Sequence, residues 1–182
     1  CIAMPDFSFQ GAGFSPSRTS SRSSGVLVRA SPRRATSALV TDAGMPAISD
    51  PGEELVAECA RLDIPVVCIP GPCALVAALA VSGQPTGRFT FEGFLSVNKK
   101  SRREHLESLV NEKRTMIFYE APHKLLNTLE DMAEVFGEDR PISLCRELTK
   151  LHEEVVRTTL GGAIEKYREN APKGEFVVVV GG

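Results

Sequence analysis

The sequence predicts an α/β protein in two domains, and three observations carry that expectation. From Ala38 onward, short β-branched runs alternate with runs of helical apolar spacing, a pattern that stacks helices against a sheet. A turn-rich break, GQPTGRF, interrupts this alternation and sets a boundary between residues 38–88 and 89–182. Residues 1–37 are a different kind of chain, rich in Ser, Arg and Pro with no periodic apolar face, the composition of a segment that buries too little to fold.

The elements follow in order. SALV at 37–40 reads as a strand leading into TDAGMPAISDPG, a long irregular connection where two to six residues is the usual length between strand and helix. Asp50 is placed as an N-cap, with Pro51 at the first helical position and Glu53 completing a capping-box spacing. Leu55, Val56, Cys59 and Leu62 recur at helical intervals and predict a helix over 51–62. IPVVCI at 64–69 is apolar throughout and reads as a central parallel strand, and PGPCALVAALAVSG as a tight turn opening an apolar helix that ends near Gly83. In the second domain Ser101 and Glu104 form a capping box for a helix with Leu106, Leu109 and Val110 on one face. TMIFYE at 115–120, ISLCREL at 142–148, EVVRTTL at 154–160 and EFVVVV at 175–180 read as strands. PHKLLNTLEDMAEVFG and GAIEKYREN read as helices, the first stopped by Gly137.

The bulk numbers exclude several classes. The longest apolar stretch, CALVAALAV at 73–81, falls far short of the roughly 20 residues a membrane-spanning helix needs. Five cysteines (Cys1, Cys59, Cys68, Cys73 and Cys145) are odd in number, contain no C-x-x-C pair and sit largely in apolar runs, which suits reduced, buried thiols in a cytoplasmic setting and neither a disulfide framework nor a zinc site. Charge is unevenly placed. Residues 1–37 carry five arginines against the single acid Asp6, about +4, which leaves about −6 for the remainder of a chain whose net charge is −2. Lys99, Lys100, Arg102 and Arg103, within NKKSRRE, stand out against that acidic background as a candidate contact for RNA phosphates, although a charge run is more often a solvated face.

Two loops could carry chemistry. TDAGMP and IPGPCA each leave a strand with a glycine beside prolines, so that backbone can approach a ligand closely along a pre-shaped turn. Neither matches a dinucleotide fingerprint or a phosphate-cradling P-loop, and each could be a plain chain reversal. In the second domain, FYEAPHK ends a strand with Tyr119 and Glu120, and CRELTK ends another with Arg146, Glu147 and Lys150. Solvated strand ends are the simpler reading for Lys150, and a surface or capping histidine for His123.

Taken together, ALVTDAGMPAISDPG, IPGPCALVAALAVSG, FEGFL, RTMIFYEAPHKL, CRELTK and KGEFVVVV resemble, in order and spacing, the ribosomal RNA small subunit methyltransferase I family of the tetrapyrrole methylase superfamily. The resemblance runs from Ala38 to Gly182. It implies a two-domain tetrapyrrole methylase-like α/β fold with the first domain partial, a homodimer without metal or membrane attachment, and S-adenosyl-methionine as cofactor in the cleft between domains. The implied reaction is methylation of a cytidine ribose 2′-hydroxyl in the small-subunit (16S) ribosomal RNA. By resemblance Asp42, Ala43, Gly44, Pro46, Gly71, Pro72 and Ala74 line the donor pocket, and Tyr119, Glu120, Arg146, Glu147, Lys173, Gly174 and Glu175 close its other side. A sulfonium already carries a good leaving group, so alignment of the 2′-oxygen matters most, and a base must accept the hydroxyl proton. Glu147, or a Lys150 of lowered pKa, is the candidate.

The family's opening strand and Gly-Thr-Pro-Ile-Gly-Asn type turn have no counterpart in residues 1–37. An out-of-frame segment is therefore the favoured reading there, beside a disordered basic tail and a plastid transit segment. A small-molecule tetrapyrrole methylase and a non-catalytic remnant are the competing functions.

Overall fold

In the computed structural model of the chain, residues 2–4, 26–29, 37–41 and 44–182 are described, with side chains from Ala38 onward. The chain divides into two compact units, Cys1–Cys73 and Ala74–Gly182. The division falls earlier than the expected boundary near residue 88, because the apolar helix 74–82 packs on the second sheet.

In the first unit β1 (Ile2–Met4), β2 (Val26–Arg29), β3 (Ser37–Val40) and β4 (Val67–Cys68) form a sheet in the order β2-β3-β1-β4, with every pair antiparallel. Two of these strands come from residues 1–37, which were expected to lack a fold. The physical reason is local: VLVR is a short β-branched run able to pair with SALV, Val26 opposite Val40. A second correction concerns 64–69. Only Val67 and Cys68 are strand, at the sheet edge, antiparallel and exposed, so continuous apolarity here does not mark a central parallel strand. Helix α1 (Glu53–Arg61) turns its buried Cys59 inward. It is preceded by Gly52, not Asp50, at the N-cap, with φ 135°. A side chain at Gly52 would meet Leu39 Cδ2, which fixes glycine there by close approach as well as by backbone angle.

The second unit is built on a five-stranded mixed sheet of order β5-β6-β9-β7-β8, formed by β5 (Phe89–Phe94), β6 (Thr115–Glu120), β7 (Pro141–Arg146), β8 (Glu154–Thr159) and β9 (Phe176–Val180). Only β5 and β6 run parallel. Strand β5 fell in and beyond the turn-rich break of the sequence; its period-2 signal is interrupted by a bulge at Phe91/Gly93, where Gly93 has φ 67°. Alternate residues bury opposite faces. Met116, Phe118, Ile142, Leu144, Phe176, Val178 and Val180 join a core with Leu106, Leu125, Leu129, Met132 and Leu160, which come from α3 (Lys99–Ser108), α4 (Pro122–Phe136) and α5 (Leu160–Glu169). The other face packs against α2 (Ala74–Ser82). Ser143 Oγ donates to the Ser82 carbonyl at 2.6 Å, Arg157 Nε to the same oxygen at 3.1 Å, and Arg157 Nη2 to the Val81 carbonyl at 2.5 Å. These bonds satisfy carbonyls that the helix end leaves unpaired.

Helix α3 is capped by Asn98, whose side chain accepts from Ser101 N–H at 3.1 Å, so the cap lies three residues ahead of the expected Ser101. Leu106 is buried, whereas Val110 lies beyond the helix and is exposed. Cysteine burial is mixed: Cys59 and Cys145 are buried, Cys73 is intermediate and Cys68 exposed. Burial pushes the Cys145 thiol up to about 11, which leaves it unreactive. Among the described residues no helix is long and apolar enough to cross a membrane.

Phe118 is fully buried. Phe118→Ala is expected to cost about 3–5 kcal/mol in chemical denaturation, against less than about 0.5 kcal/mol for Val97→Ala at an exposed position. Equal effects at the two positions would contradict this placement of the core.

Candidate functional site

The two glycine loops of the first unit lie side by side. A Cβ built on Gly44 would stand 3.8 Å from the Pro72 carbonyl oxygen. Gly44 has φ 81°, and two further residues of the same connection, Ala47 (67°) and Ser49 (56°), are also left-handed without being glycine, conformations that cost about 1–3 kcal/mol each. Pro46 is buried and Gly44 exposed. Gly71 differs from Gly44 in a telling way: its φ is ordinary, and a Cβ there would meet nothing within 4 Å. Among the described residues, neither conformation nor packing requires glycine at 71. Asp42 and Ala43 lie outside the described residues.

The second unit gathers its sequence motifs in one row. Register places Glu120 opposite Phe176, Phe176 opposite Arg146 and Arg146 opposite Glu154, so the ends of β6 and β7 and the starts of β8 and β9 share one end of the sheet. Tyr119, half-buried, accepts the Leu75 N–H at 3.0 Å through its hydroxyl and thereby caps α2 just after Ala74, the helix's first residue. Phe91 and Phe94 meet its ring edge-on at 5.0 and 5.6 Å. Glu120 is 4% exposed, accepts from Thr128 Oγ1 at 2.6 Å and from Ala121 N–H at 2.8 Å, and so holds the start of α4.

Glu147, Lys150, Gly174 and Glu175 form a latch. Glu147 has φ 48° and Thr149 φ 66°. Glu147 Oε1 accepts the Glu175 N–H at 2.8 Å and Lys150 Nζ at 3.1 Å, and Lys150 Nζ also reaches Glu175 Oε2 at 3.1 Å. A side chain on Gly174, φ 81°, would collide with the Glu147 side chain, so glycine at 174 makes room for the carboxylate. The neighbouring Lys173 is exposed. Arg146 pairs with Glu154 at 3.2 Å, and Glu154 with Lys166 at 2.7 Å. Glu154 and Lys166 carry no sequence signal, since only the β7–β8 register brings the first to Arg146.

These contacts run against a lowered pKa at Lys150. Lys150 lies between two carboxylates, Glu175 foremost and Glu147, which hold its pKa above the ordinary value. The Glu175 backbone N–H and the Lys150 ammonium hold the Glu147 carboxyl below its ordinary value. Both shifts favour the charged ion pair.

The basic run on α3 is also largely committed. Arg102 Nε bonds Asp131 at 2.5 Å with both side chains 13% exposed, and its Nη1 donates to the Ser96 carbonyl at 3.0 Å. Arg103 pairs with Glu107 and Glu134 at 2.8 and 3.1 Å, while Lys100 stands 3.9 Å from Glu104. Lys99 is exposed, beside a groove that also holds Glu130, Asp131 and Glu134. Four cations in sequence are thus not four cations offered to a phosphate backbone.

Two predictions follow from these contacts. Glu147, its pKa depressed, contributes stability above its unfolded value near 4.5 that is lost as pH falls through the lower folded value; Lys150, its pKa raised, contributes below 10.5 and loses that contribution as pH rises through the higher folded value. NMR titration is expected to place the Glu147 midpoint below 4.5 and that of Lys150 above 10.5, and a Lys150 midpoint near neutrality would restore it as a base. Tyr119→Phe keeps the ring contacts but removes the acceptor for Leu75 N–H, at an expected cost of about 0.5–2 kcal/mol in thermal denaturation; an unchanged stability would show that the hydroxyl is no cap.

The family model described as Tetrapyrrole (Corrin/Porphyrin) Methylases matches residues 15–164. A Synechocystis protein named Ribosomal RNA small subunit methyltransferase I is 54% identical over 145 residues, 80% of this chain and 52% of its own length. Its namesake from Thermotoga maritima is 50% identical over 145 residues, 80% of this chain and 64% of its own. The chain thus spans between about half and two thirds of these relatives' length. Among solved structures, the methyltransferase CobJ superposes with TM-score 0.56 at 23% identity over 76% of this chain and 61% of its own, and diphthine synthase with TM-score 0.56 at 14% identity over 76% and 57%. At those identities the likeness is one of fold. On the family match, which covers most of its length, the chain belongs to the tetrapyrrole methylases.

Proposed function

We propose that this chain carries part of an S-adenosyl-methionine-dependent methyltransferase acting on the 2′-hydroxyl of a cytidine in small-subunit ribosomal RNA. The observation that carries the reading is Gly71: a glycine required by neither conformation nor packing, adjacent to a Gly44 loop held in left-handed conformations. Bare backbone of this kind suits close approach by a ligand, and strain concentrated in one loop points to function. The names of the relatives, at about half identity, select ribosomal RNA over tetrapyrrole as substrate.

When bound, S-adenosyl-methionine supplies a methyl group on a sulfonium. The residues proposed to hold it are Asp42, Ala43, Gly44, Pro46, Gly71, Pro72 and Ala74 on the loop side and, in the second unit, Tyr119, Glu120, Arg146, Lys173, Gly174 and Glu175. Tyr119 and Glu120 act by fixing the starts of α2 and α4. Glu147 and Lys150 act as positioning groups that lock the 147–153 and 173–175 segments together, with proton acceptance left to another group or to water. Fixing the hydroxyl in line for attack is worth roughly 7–11 kcal/mol in favourable cases, which makes rigidity of these loops the property that matters. A homodimer is the proposed assembly: Val76 and Val81 leave an apolar face of α2 half-exposed, at 52% and 39%. The proposed location is that of the ribosome it modifies, the cytoplasm or a plastid.

Gly71→Val tests the carrying observation. The substitution meets no atom within 4 Å of its Cβ, so melting temperature is expected to stay unchanged while the affinity for S-adenosyl-methionine in calorimetric titration falls at least about tenfold, ~1.4 kcal/mol. Equal donor affinity in the variant, or no binding heat in the parent chain, would defeat the donor site. Methyl transfer to tetrapyrroles but not to small ribosomal subunits would defeat the substrate.

A further inference from the structure

A groove of about 580 Å³ opens in the second unit between α4 and the segment that follows α5. Pro122, Leu126 and Pro172 give it apolar walls, Tyr167 lies beneath, and His123 and Arg168 stand on its rim. Its volume is that of an ordinary small-ligand site. Tyr167 is 6% exposed, and its buried hydroxyl has no hydrogen-bond partner, the one unsatisfied polar side chain among these lining residues.

We propose that this groove receives one nucleotide of the RNA substrate, flanking the methylated residue, with its base against Pro122, Leu126 and Pro172 and its phosphate at His123 and Arg168. The inference rests on the ribosomal RNA reading above and assigns that substrate a second point of attachment. Three observations select a nucleotide. The rim offers donors: Arg168 Nε and Nη2 bond Glu130 at 3.2 and 2.8 Å, which leaves Nη1 for a phosphate oxygen beside the His123 ring. The walls named above are apolar, which suits contact with the face of an unstacked base. The place is also right: Pro122 begins α4 directly after β6, and Pro172 lies just ahead of β9, whose Phe176 pairs with Glu120. The groove therefore opens at the end of the sheet where the sequence motifs converge, and a strand seated in it leads toward them.

The test measures binding of a labelled single-stranded RNA by fluorescence anisotropy as a function of salt, with three proteins: the parent chain, His123→Ala/Arg168→Gln, and Asn127→Trp, which fills the groove from an exposed lining position without removing charge. All substituted side chains are exposed, and the Arg168–Glu130 pair lies at the surface, so folding is expected to survive, checked by circular dichroism. The double variant is expected to bind RNA about tenfold more weakly, with a salt slope smaller by about one. Asn127→Trp is expected to weaken binding by a similar factor with the slope unchanged. Donor binding heat stays at the parent value in both. RNA affinity within about twofold of the parent in both variants overturns the groove while leaving the ribosomal RNA reading intact. Failure of the parent chain to bind RNA defeats both. Equal loss with heparin as with RNA in the double variant, together with no effect of Asn127→Trp, reduces the groove to an unspecific anion contact and overturns the assignment of a base.

Discussion

Burial of β9 on both faces is the constraint on which the second unit depends. All five residues from Phe176 to Val180 are buried. Alternate side chains must find apolar partners on opposite sides, so α3, α4 and α5 are held on one face and α2 on the other. At about 25 cal/mol per Å² of apolar surface, this double burial outweighs any single polar contact at the sheet's rim. The polar contacts decide something else. With β9 fixed between β6 and β7, Glu120, Arg146 and Glu175 arrive at one end of the sheet, and the latch among Glu147, Lys150 and Glu175 can close. Hydrophobic burial thus sets the address of the motif residues, and hydrogen bonds set their orientation.

Backbone strain marks the same places from another direction. Of the five left-handed residues other than glycine among those described, Ala47 and Ser49 belong to the first glycine loop and Glu147 and Thr149 to the latch loop. The latch loop is held by the bonds of Glu147 to Glu175 and Lys150. A chain that maintains four such conformations in two loops spends stability on shape, which is the mark of a preorganised site.

Much of this was legible in the sequence, and the exceptions have physical causes. PHKLLNTLEDMAEVF disclosed its helix because its periodicity agrees with its burial, and TMIFYE and EFVVVV disclosed their strands as short apolar runs buried almost throughout. IPVVCI misled because continuous apolarity does not separate a buried strand from an exposed edge, and VLVR was hidden by the serines and arginines around it. Asp50 and Ser101 had the chemistry of helix caps, yet close approach to Leu39 selected Gly52, and Asn98 reached Ser101 N–H first. The motif residues were found by family resemblance, but their electrostatics were not. Sequence spacing brings Glu147 near Lys150, whereas the third member, Glu175, is brought by strand pairing, and that member turns an expected base into a locked ion.

Helix α2 is secured at one end by the Tyr119 hydroxyl and at the other by Ser143 and Arg157. At nine residues it is shorter than the ~12–15 below which an isolated helix is marginal in water, and its clasps come from β6, β7 and β8. The time order of folding follows from that dependence. Segment 74–82 has no template until those three strands have assembled, so in a chain that emerges N-terminus first it waits, uncoiled and apolar, for partners made later.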